Sequence, residues 1–500
     1  MAKRNGGIIG PSNVPTGRYG GTASGVWRLR DAFNYIKAGL WPGLGSYSVG
    51  NSLRFNSASS DNLSRTPGSA GNRRTYTISY WLKRSKITYN YDMNIGTAYS
   101  AGPGNSFQIL FENTDKLSVQ AGDGSYVLVT TQLFRDVSAW YHIVVAIDTT
   151  QATSTNRVKI YVNGSQITSF STATYPTQNL DTAWNNTIAH YIGDFNNAHS
   201  MNGYMAEVYN IDGQQLTPSS FGQTDSATGI WTPLPFTGSF GTNGFYQKYA
   251  NSAALGTDSS GNGNTFTANN LTSVDQSTDT PTNNFATMNP LINTNGIVYT
   301  EGNLKVSFSG NASWARGAAS SIVLNTGKWY WEIYQTSCSI YNITGIIRED
   351  DLTFFSGQSG TNLYDRNCNA LQSGGGQYNA NSSDTSPGYT YTVGDTVMYA
   401  LDMTNKKMYV GKNGTWFNSG NPGAGTGEVW GSSEFTSGYG FAPIALGYDL
   451  GTAPIMEFNF GSPSFTISSG NADANGYGNF EYTVPSGYYA LNTKNLAEYG

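Results

Sequence analysis

VVAIDTTQATSTNRVKIYVNG (Val144–Gly164) and VMYALDMTNKKMYVGKNG (Val397–Gly414) are two versions of one pattern. Each is an apolar run ending in Asp, a polar turn, a run of form K-x-Y-V, and then Asn-Gly. Successive residues of a strand point to opposite faces, so Val158, Ile160 and Val162 share one face while Lys159 and Tyr161 share the other. Met408 and Val410 oppose Lys407 and Tyr409 in the same way. The alternation predicts half-buried antiparallel sheets. Asn163-Gly164 and Asn413-Gly414 are dipeptides of tight hairpin turns, whose two central residues take positive φ. The turn between Asp and Tyr is much longer in the first copy (Asp148 to Tyr161) than in the second (Asp402 to Tyr409). The two copies therefore read as one strand–turn–strand solution reached in two modules, rather than as a recent duplication.

Composition agrees with a chain of short strands. Five hundred residues exceed one ordinary domain. Charged residues make up only 12%, about half the usual ~25%. The 60 Gly and 34 Tyr point to many tight turns and many strand positions, and Tyr-rich surfaces suit sugars and protein partners. A hydrophobic content of 38% argues against disorder. The net charge is −5, and the basic residues gather no further than pairs such as Arg73-Arg74 and Lys83-Arg84, so nucleic-acid binding is not expected. No apolar run approaches the ~18 residues of a membrane span. The opening MAKRNGGIIGPSN has no apolar core of a secretory signal. Cys338 and Cys368 lack a CxxC spacing and are expected to be reduced thiols of a protein made in a cytoplasm.

Four segments follow along the chain. Residues 1–49 form an extended anchor that contains a helix over about 25–38. Val26, Leu29, Phe33, Ile36 and Leu40 recur at helical spacing, with Trp27 beside them, and Gly39 and Pro42 close the segment. A lone short helix is marginal by itself. Its apolar stripe must dock on its own sandwich or serve as an assembly anchor. Residues 50–225 carry strand patterns such as SLRFN, TYTISYWLK, WYHIVVAID and GYMAEVYNID. Residues 226–295 are rich in Gly, Asn and Thr, and are too long for a plain loop, so they are expected to form an ordered connector. Residues 296–500 carry GKWYWEIYQ, YNITGIIRE, GDTVMYALDM, FAPIALGYD and IMEFNFG. The expectation is an all-β chain of two tandem antiparallel β-sandwiches behind a short anchor with one helix.

The first module resembles a laminin G-like, concanavalin A-type jelly roll. The resemblance rests on SLRFN, DNLSRT, TISYWLKRS, WYHIVVAID, KIYVNG and GYMAEVYNIDGQQLTPSSFG. The second resembles a SPRY module through GKWYWEI, GDTVMYALDMTNKKMYVGKNGTWF and the late FNFG. VPSGYYALNTKNL (Val484–Leu496) resembles the endings of such modules in phage proteins. The whole order, with ASGVWRLRDAFNYIKAGLWP in front and DSSGNGN…DTPTNNFATMNP between the modules, resembles virion proteins of marine tailed phages. That resemblance implies a particle built in the host cytoplasm and exposed on its surface. It implies contact with other virion proteins through residues 1–42, and a homo-oligomer, a trimer by analogy with phage fibres. The helical stripe is compatible with a three-stranded contact.

Sugar-cleaving enzymes of the sandwich type use two carboxylates facing one cleft. No E-x-D-x-x-E or E-x-E run occurs; Glu207 and Glu332 stand alone on their strands, and Arg348-Glu349-Asp350-Asp351 reads as a solvated turn. His142 lies within a strand, and His190 and His199 flank a turn around Asp194 without a third strong metal ligand. No G-x-S-x-G elbow or phosphate-binding loop is present. The chain is expected not to be an enzyme and to need no cofactor. Calcium is the one metal that the laminin G-like resemblance brings in, with the turn residues Asp123, Asp148 and Asp194 as its candidates and ordinary turn Asp as the plainer reading.

For ligand binding the candidates are tyrosines in polar loops: Tyr89, Tyr91 and Tyr99 in the first module and Tyr364, Tyr378, Tyr389 and Tyr391 in the second. Tyr rings stack on sugar faces while Asn and Ser supply hydrogen bonds, although some of these rings must pack sheet edges. The expected function is a non-enzymatic virion protein, a tail fibre or a head or tail decoration, that attaches to bacterial surface glycans. A purely architectural cement protein and a polysaccharide-degrading tailspike are the alternatives.

Overall fold

Both Asn-Gly hairpins form. Asn163 and Gly164 take φ of 48° and 82°, and Asn413 and Gly414 take 49° and 84°. Each Asn also ties its turn to the strand alongside. The Asn163 side-chain oxygen accepts the His142 N–H at 2.8 Å, and that of Asn413 accepts the Thr396 N–H at 2.8 Å. The Asp that ends the preceding strand closes the polar turn. Asp148 accepts from Thr150 and Gln151, and Asp402 from Asn405.

In the computed structural model the described residues are 30, 31, 34 and 47–500, save 89–92, 101–105, 196–198, 226–227, 293–295, 311–316, 357–365, 380–381, 386 and 450. Arg30, Asp31 and Asn34 are helical. The stripe residues Val26, Trp27, Leu29, Phe33, Ile36 and Leu40 lie outside the described residues.

From the first hairpin outward, the strands Ser165–Gln166, Val158–Val162, Trp140–Asp148, Thr75–Arg84, Gly203–Asp212 and Ser52–Phe55 make one antiparallel sheet. Facing it, Phe170–Thr174, Val127–Leu133, Lys116–Ala121, Ser106–Phe111, Met93–Tyr99, Ala189–Ile192 and Asn62–Arg65 make a second. Ile78, Tyr80, Val145 and Ile160 from the first meet Ile95, Phe107, Ile109 and Val119 from the second in one core. The second sandwich repeats the plan. Lys305–Ser307, Ile455–Asn459, Lys328–Ser337, Thr396–Asp402 and Lys407–Lys412 are neighbours in one sheet, and Gly317–Ala319, Phe441–Gly447, Asn342–Arg348 and Cys368–Gln372 in the other. Trp329, Trp331, Ile333, Tyr399 and Val410 point into the shared core. The chain is therefore nearly all β, with two tandem antiparallel β-sandwiches.

The expectation of half-buried sheets needs correction. The sheets that carry the two hairpins are covered on their outer faces as well. Tyr161 and Tyr209 are buried beneath Leu216, Phe221, Phe236 and Phe240. Tyr330, Met398 and Tyr409 are buried beneath Phe480, Tyr488 and Ala490. In each module the chain that follows the sandwich strands folds back over one sheet, so the K-x-Y-V tyrosines face a second apolar layer instead of water. A further helix, Thr493–Tyr499, closes the chain. The Asn492 side chain caps it by accepting from the Asn495 N–H. Among the described residues no helix is long and apolar enough to cross a membrane.

The stretch read as a connector is woven into both sandwiches. Phe245–Gln247 and Gln276–Ser277 add to the first sheet, and Thr267–Asn269 adds to the facing one. Its end pairs with the second module, where Ala286 N–H donates to Leu491 O and Thr493 N–H donates to Asn284 O. Two cations buried in the first module are answered from this side. Lys83 Nζ meets Asp279 Oδ2 and Asn284 Oδ1, both at 2.7 Å, and the Lys83 and Asp279 side chains are only 1% and 2% exposed. Arg54 reaches Asp275 at 3.2 Å, Glu301 at 3.4 Å and the Pro463 carbonyl at 3.2 Å. Gly302 sits against Tyr204, whose hydroxyl donates to its carbonyl at 3.0 Å. With φ at 65° and a Cβ position 2.0 Å from that hydroxyl, only Gly fits there.

Removing one partner of a buried ion pair leaves an uncompensated charge, which costs about 3–5 kcal/mol. Asp279→Ala is therefore expected to lower stability by that amount, read by urea titration of the full chain. A loss under about 1 kcal/mol, the range of exposed pairs, would show that Lys83 finds water or another partner.

Candidate functional site

Of the seven tyrosines expected to bind ligand, Tyr89, Tyr91 and Tyr364 lie outside the described residues. Two need correction. Tyr378 is 2% exposed and Tyr391 3%. The Tyr378 hydroxyl donates to Gln372 at 2.7 Å, and that of Tyr391 to the carbonyls of Asn342 at 2.7 Å and Leu371 at 3.0 Å. Their rings fill apolar layers of the second sandwich and offer no face to a ligand. Tyr389 is half-buried and stacks on Phe417 with centroids 4.7 Å apart and planes at 9°. Tyr99 is half-buried against Phe195, 4.9 Å between centroids. The structure does not gather these residues into one site.

The calcium candidates are likewise dispersed. Asp148 is committed to its turn, Asp123 accepts the Ser125 N–H, and buried Asp194 accepts from the Ser200 hydroxyl at 2.7 Å. No group of three or more His, Cys, Asp or Glu side chains suited to a metal occurs among the described residues. The four-residue run at 348–351 is divided among separate partners. Arg348 pairs with Asp350, Asp351 accepts from Asn367, and Glu349 accepts from the Gly440 N–H. The two cysteines are free thiols, and burial pushes that of Cys338 up to about 11.

The buried histidines are held neutral. Trp231 Nε1–H donates to His142 Nδ1 at 2.9 Å, so the proton of the neutral ring sits on Nε2, facing Ser79 Oγ at 2.9 Å. The ring is nearly parallel to those of Trp81, at 4.9 Å between centroids, and Trp231, at 5.9 Å. His190 has the opposite tautomer. Its Nε2 accepts the Asn185 N–H at 3.0 Å and its Nδ1 faces the Ile188 carbonyl at 2.8 Å. Burial drives their pKa values down, to about 3 for His142 and about 4 for His190.

Glu207 and Glu332 each stand on the covered outer face of a sheet. Glu207 has φ of 51° at a bulge in its strand and accepts three tyrosine hydroxyls, from Tyr209 and Tyr246 at 2.6 Å and Tyr47 at 2.9 Å. Glu332 accepts the Tyr330 hydroxyl at 2.8 Å and the backbone N–H groups of Glu481 at 2.9 Å and Tyr482 at 2.8 Å. Burial raises both pKa values against the opposing pull of these donors. The two glutamates belong to different sandwiches: Glu207 ties Tyr47 and the added strand's Tyr246 to its sheet, and Glu332 fastens the covering segment at 481–482 to its own.

That fastening positions the candidate site. Beside Glu332, the half-buried rings of Trp416 and Tyr482 line a cleft of about 660 Å³ whose floor includes Met398. Trp416 follows the Asn413-Gly414 turn on a short return strand and meets Tyr330 edge-on, with planes at 70°. Tyr482 is carried by the covering segment that Glu332 holds. Ser419, Asn421, Thr483 and Ser486 complete the polar lining, and none of the lining residues is charged. The Asn421 carbonyl oxygen accepts the Ala424 N–H at 3.1 Å, which leaves its amide nitrogen as the donor for a ligand. Two aromatic faces, hydroxyls, an amide and no charge suit a molecule with both apolar and hydroxylated sides. The Gly-Thr-Trp-Phe stretch carries part of the SPRY resemblance, yet Trp416 was not among the ligand candidates. The available signal was an aromatic directly after an Asn-Gly turn. Nothing local marked Tyr482, whose place depends on Glu332, 150 residues away.

Residues 57–219 match a laminin G-type family model described as the concanavalin A-like lectin/glucanases superfamily. Two solved structures are similar to parts of the chain. The SPRY domain of human HERC1 is 15% identical over 34% of this chain and 96% of that one, with a TM-score of 0.26. The native heptameric SAP-like pentraxin from Limulus polyphemus is 15% identical over 37% of this chain and 86% of that one, with a TM-score of 0.27. Comparison with curated proteins returns no match.

An unfolded His titrates near 6.5. Because folding depresses both buried histidines, their contribution to stability is complete above pH 6.5. It is lost as the pH falls through about 4 for His190 and about 3 for His142. In NMR spectra of the native protein the C2 proton shifts of both rings are expected to stay constant from pH 8 to 5. A midpoint near 6.5 for either ring would contradict its buried, neutral state.

Proposed function

We propose that this chain is a non-enzymatic structural protein of a tailed-phage virion, a tail fibre or a head or tail decoration, that attaches the particle to glycans on the bacterial surface. The observation that carries the binding part is the uncharged Trp416–Tyr482 cleft on the second sandwich. The concanavalin A-like character of the first module supports carbohydrate or other ligand binding, since the matching superfamily includes lectins. That superfamily also includes glucanases. Against a glucanase reading, both buried glutamates are enclosed by hydrogen bonds to tyrosines and backbone, and neither lines the cleft. The virion part is supported by the order of anchor, sandwich, connector and sandwich along the sequence. Residues 1–42 would join other virion proteins, and the assembled chain would be a homo-oligomer, a trimer by analogy with phage fibres. It would be made in the host cytoplasm and displayed on the particle. No nucleic-acid or membrane partner enters this reading.

Deleting residues 1–42 is expected to leave a folded protein that no longer enters particles, measured by melting of the purified variant and by its abundance in purified virions. Normal incorporation of the truncated chain would refute the anchor. Loss of folding would show that the amino-terminal helix belongs to the core of the first sandwich.

A further inference from the structure

We infer that the Trp416–Tyr482 cleft takes a neutral pyranose and discriminates against acidic sugars. This rests on the glycan-attachment reading and narrows it to one site and one ligand class. A pyranose presents a C–H face and a rim of hydroxyls. The cleft offers matching surfaces, two half-buried aromatic rings over the buried methionine Met398 and polar groups at Ser419, Asn421, Thr483 and Ser486. A uronic or sialic acid would carry its carboxylate into a lining that holds no cation. A charge that leaves water without a counter-charge costs far more than a hydroxyl that exchanges one hydrogen bond for another. The volume, about 660 Å³, lies inside the range of about 300–1,000 Å³ typical of ligand sites.

The rings are also held in place before any ligand arrives. Glu332 clamps the backbone at Glu481 and Tyr482 from beneath, and Trp416 leans on Tyr330, whose hydroxyl donates to the same Glu332. Gly414 permits the approach, because its φ is 84° and a Cβ there would lie 3.1 Å from the Tyr482 ring. A preorganised pair of rings avoids the ordering cost that weakens mobile sites. Glu332 thus acts as a positioning residue for the stacking platform.

The test is glycan-array binding and calorimetric titration of the full-length chain. The probes are neutral galactose and glucose oligosaccharides, set against galacturonate and sialylated oligosaccharides. Trp416→Ala is expected to weaken neutral-sugar binding about tenfold or more. Because Trp416 also packs on Tyr330, Gly423→Gln is the second variant. Gly423 is exposed, and an added Cβ there meets nothing closer than 3.7 Å, so the longer side chain can obstruct the cleft while the fold stays intact. An equal loss is expected, with the melting temperature unchanged. Neutral-sugar binding that survives both variants, or acidic sugars bound as well as neutral ones, would overturn this inference while glycan attachment stands. No binding to any glycan would overturn both.

Discussion

Two buried cations set the terms for the architecture. Lys83 and Arg54 lie on strands of the first sandwich, yet their counter-charges come from later in the chain, Asp279 and Asp275 in the connector and Glu301 at the edge of the second sandwich. A buried ammonium or guanidinium without a partner is too costly to persist. The first module therefore completes its electrostatics only when the chain beyond it is in place. The same stretch donates strands to both sheets of the first sandwich and hydrogen-bonds to the end of the second. Two modules that resemble separable domains are thereby joined through a polar, buried seam.

A parallel constraint shapes the outer faces. Each hairpin-bearing sheet buries side chains on both faces, and each is covered by chain that returns after the sandwich strands. In each case a buried glutamate receives hydrogen bonds from tyrosines, and in the second module also from the backbone of the covering segment. In the second module the cover is thus fixed at defined points as well as by apolar burial. In the second module that fixing presents Tyr482 beside Trp416, so the candidate site follows from how the sheet is closed.

Much of the fold was legible because strand patterns are local. The alternation in Val158–Val162 and Lys407–Lys412, the Asn-Gly turns and the long apolar strands at 75–84, 140–148, 328–337 and 396–402 are all written within a few residues. The strands at 93–99, 189–192 and 267–269 were less visible, because they are short and rich in small or polar residues and owe their state to their neighbours. The second covering layer was invisible for a related reason. Tyr161 and Tyr409 look like solvent-facing positions until Phe221 or Tyr488 arrives from far along the chain. The site was less legible still. A count of loop tyrosines selected Tyr378 and Tyr391, which the core absorbs, and passed over Trp416 and Tyr482, whose meeting depends on long-range contacts.

The claim that the connector fuses the two sandwiches is tested most directly by calorimetry of the full-length chain. If the buried seam is as strong as its ion pairs and shared strands imply, both modules unfold in one transition, with calorimetric and van't Hoff enthalpies equal. Two resolved transitions, each with the enthalpy of a single sandwich, would show that the modules are independent and contradict this account.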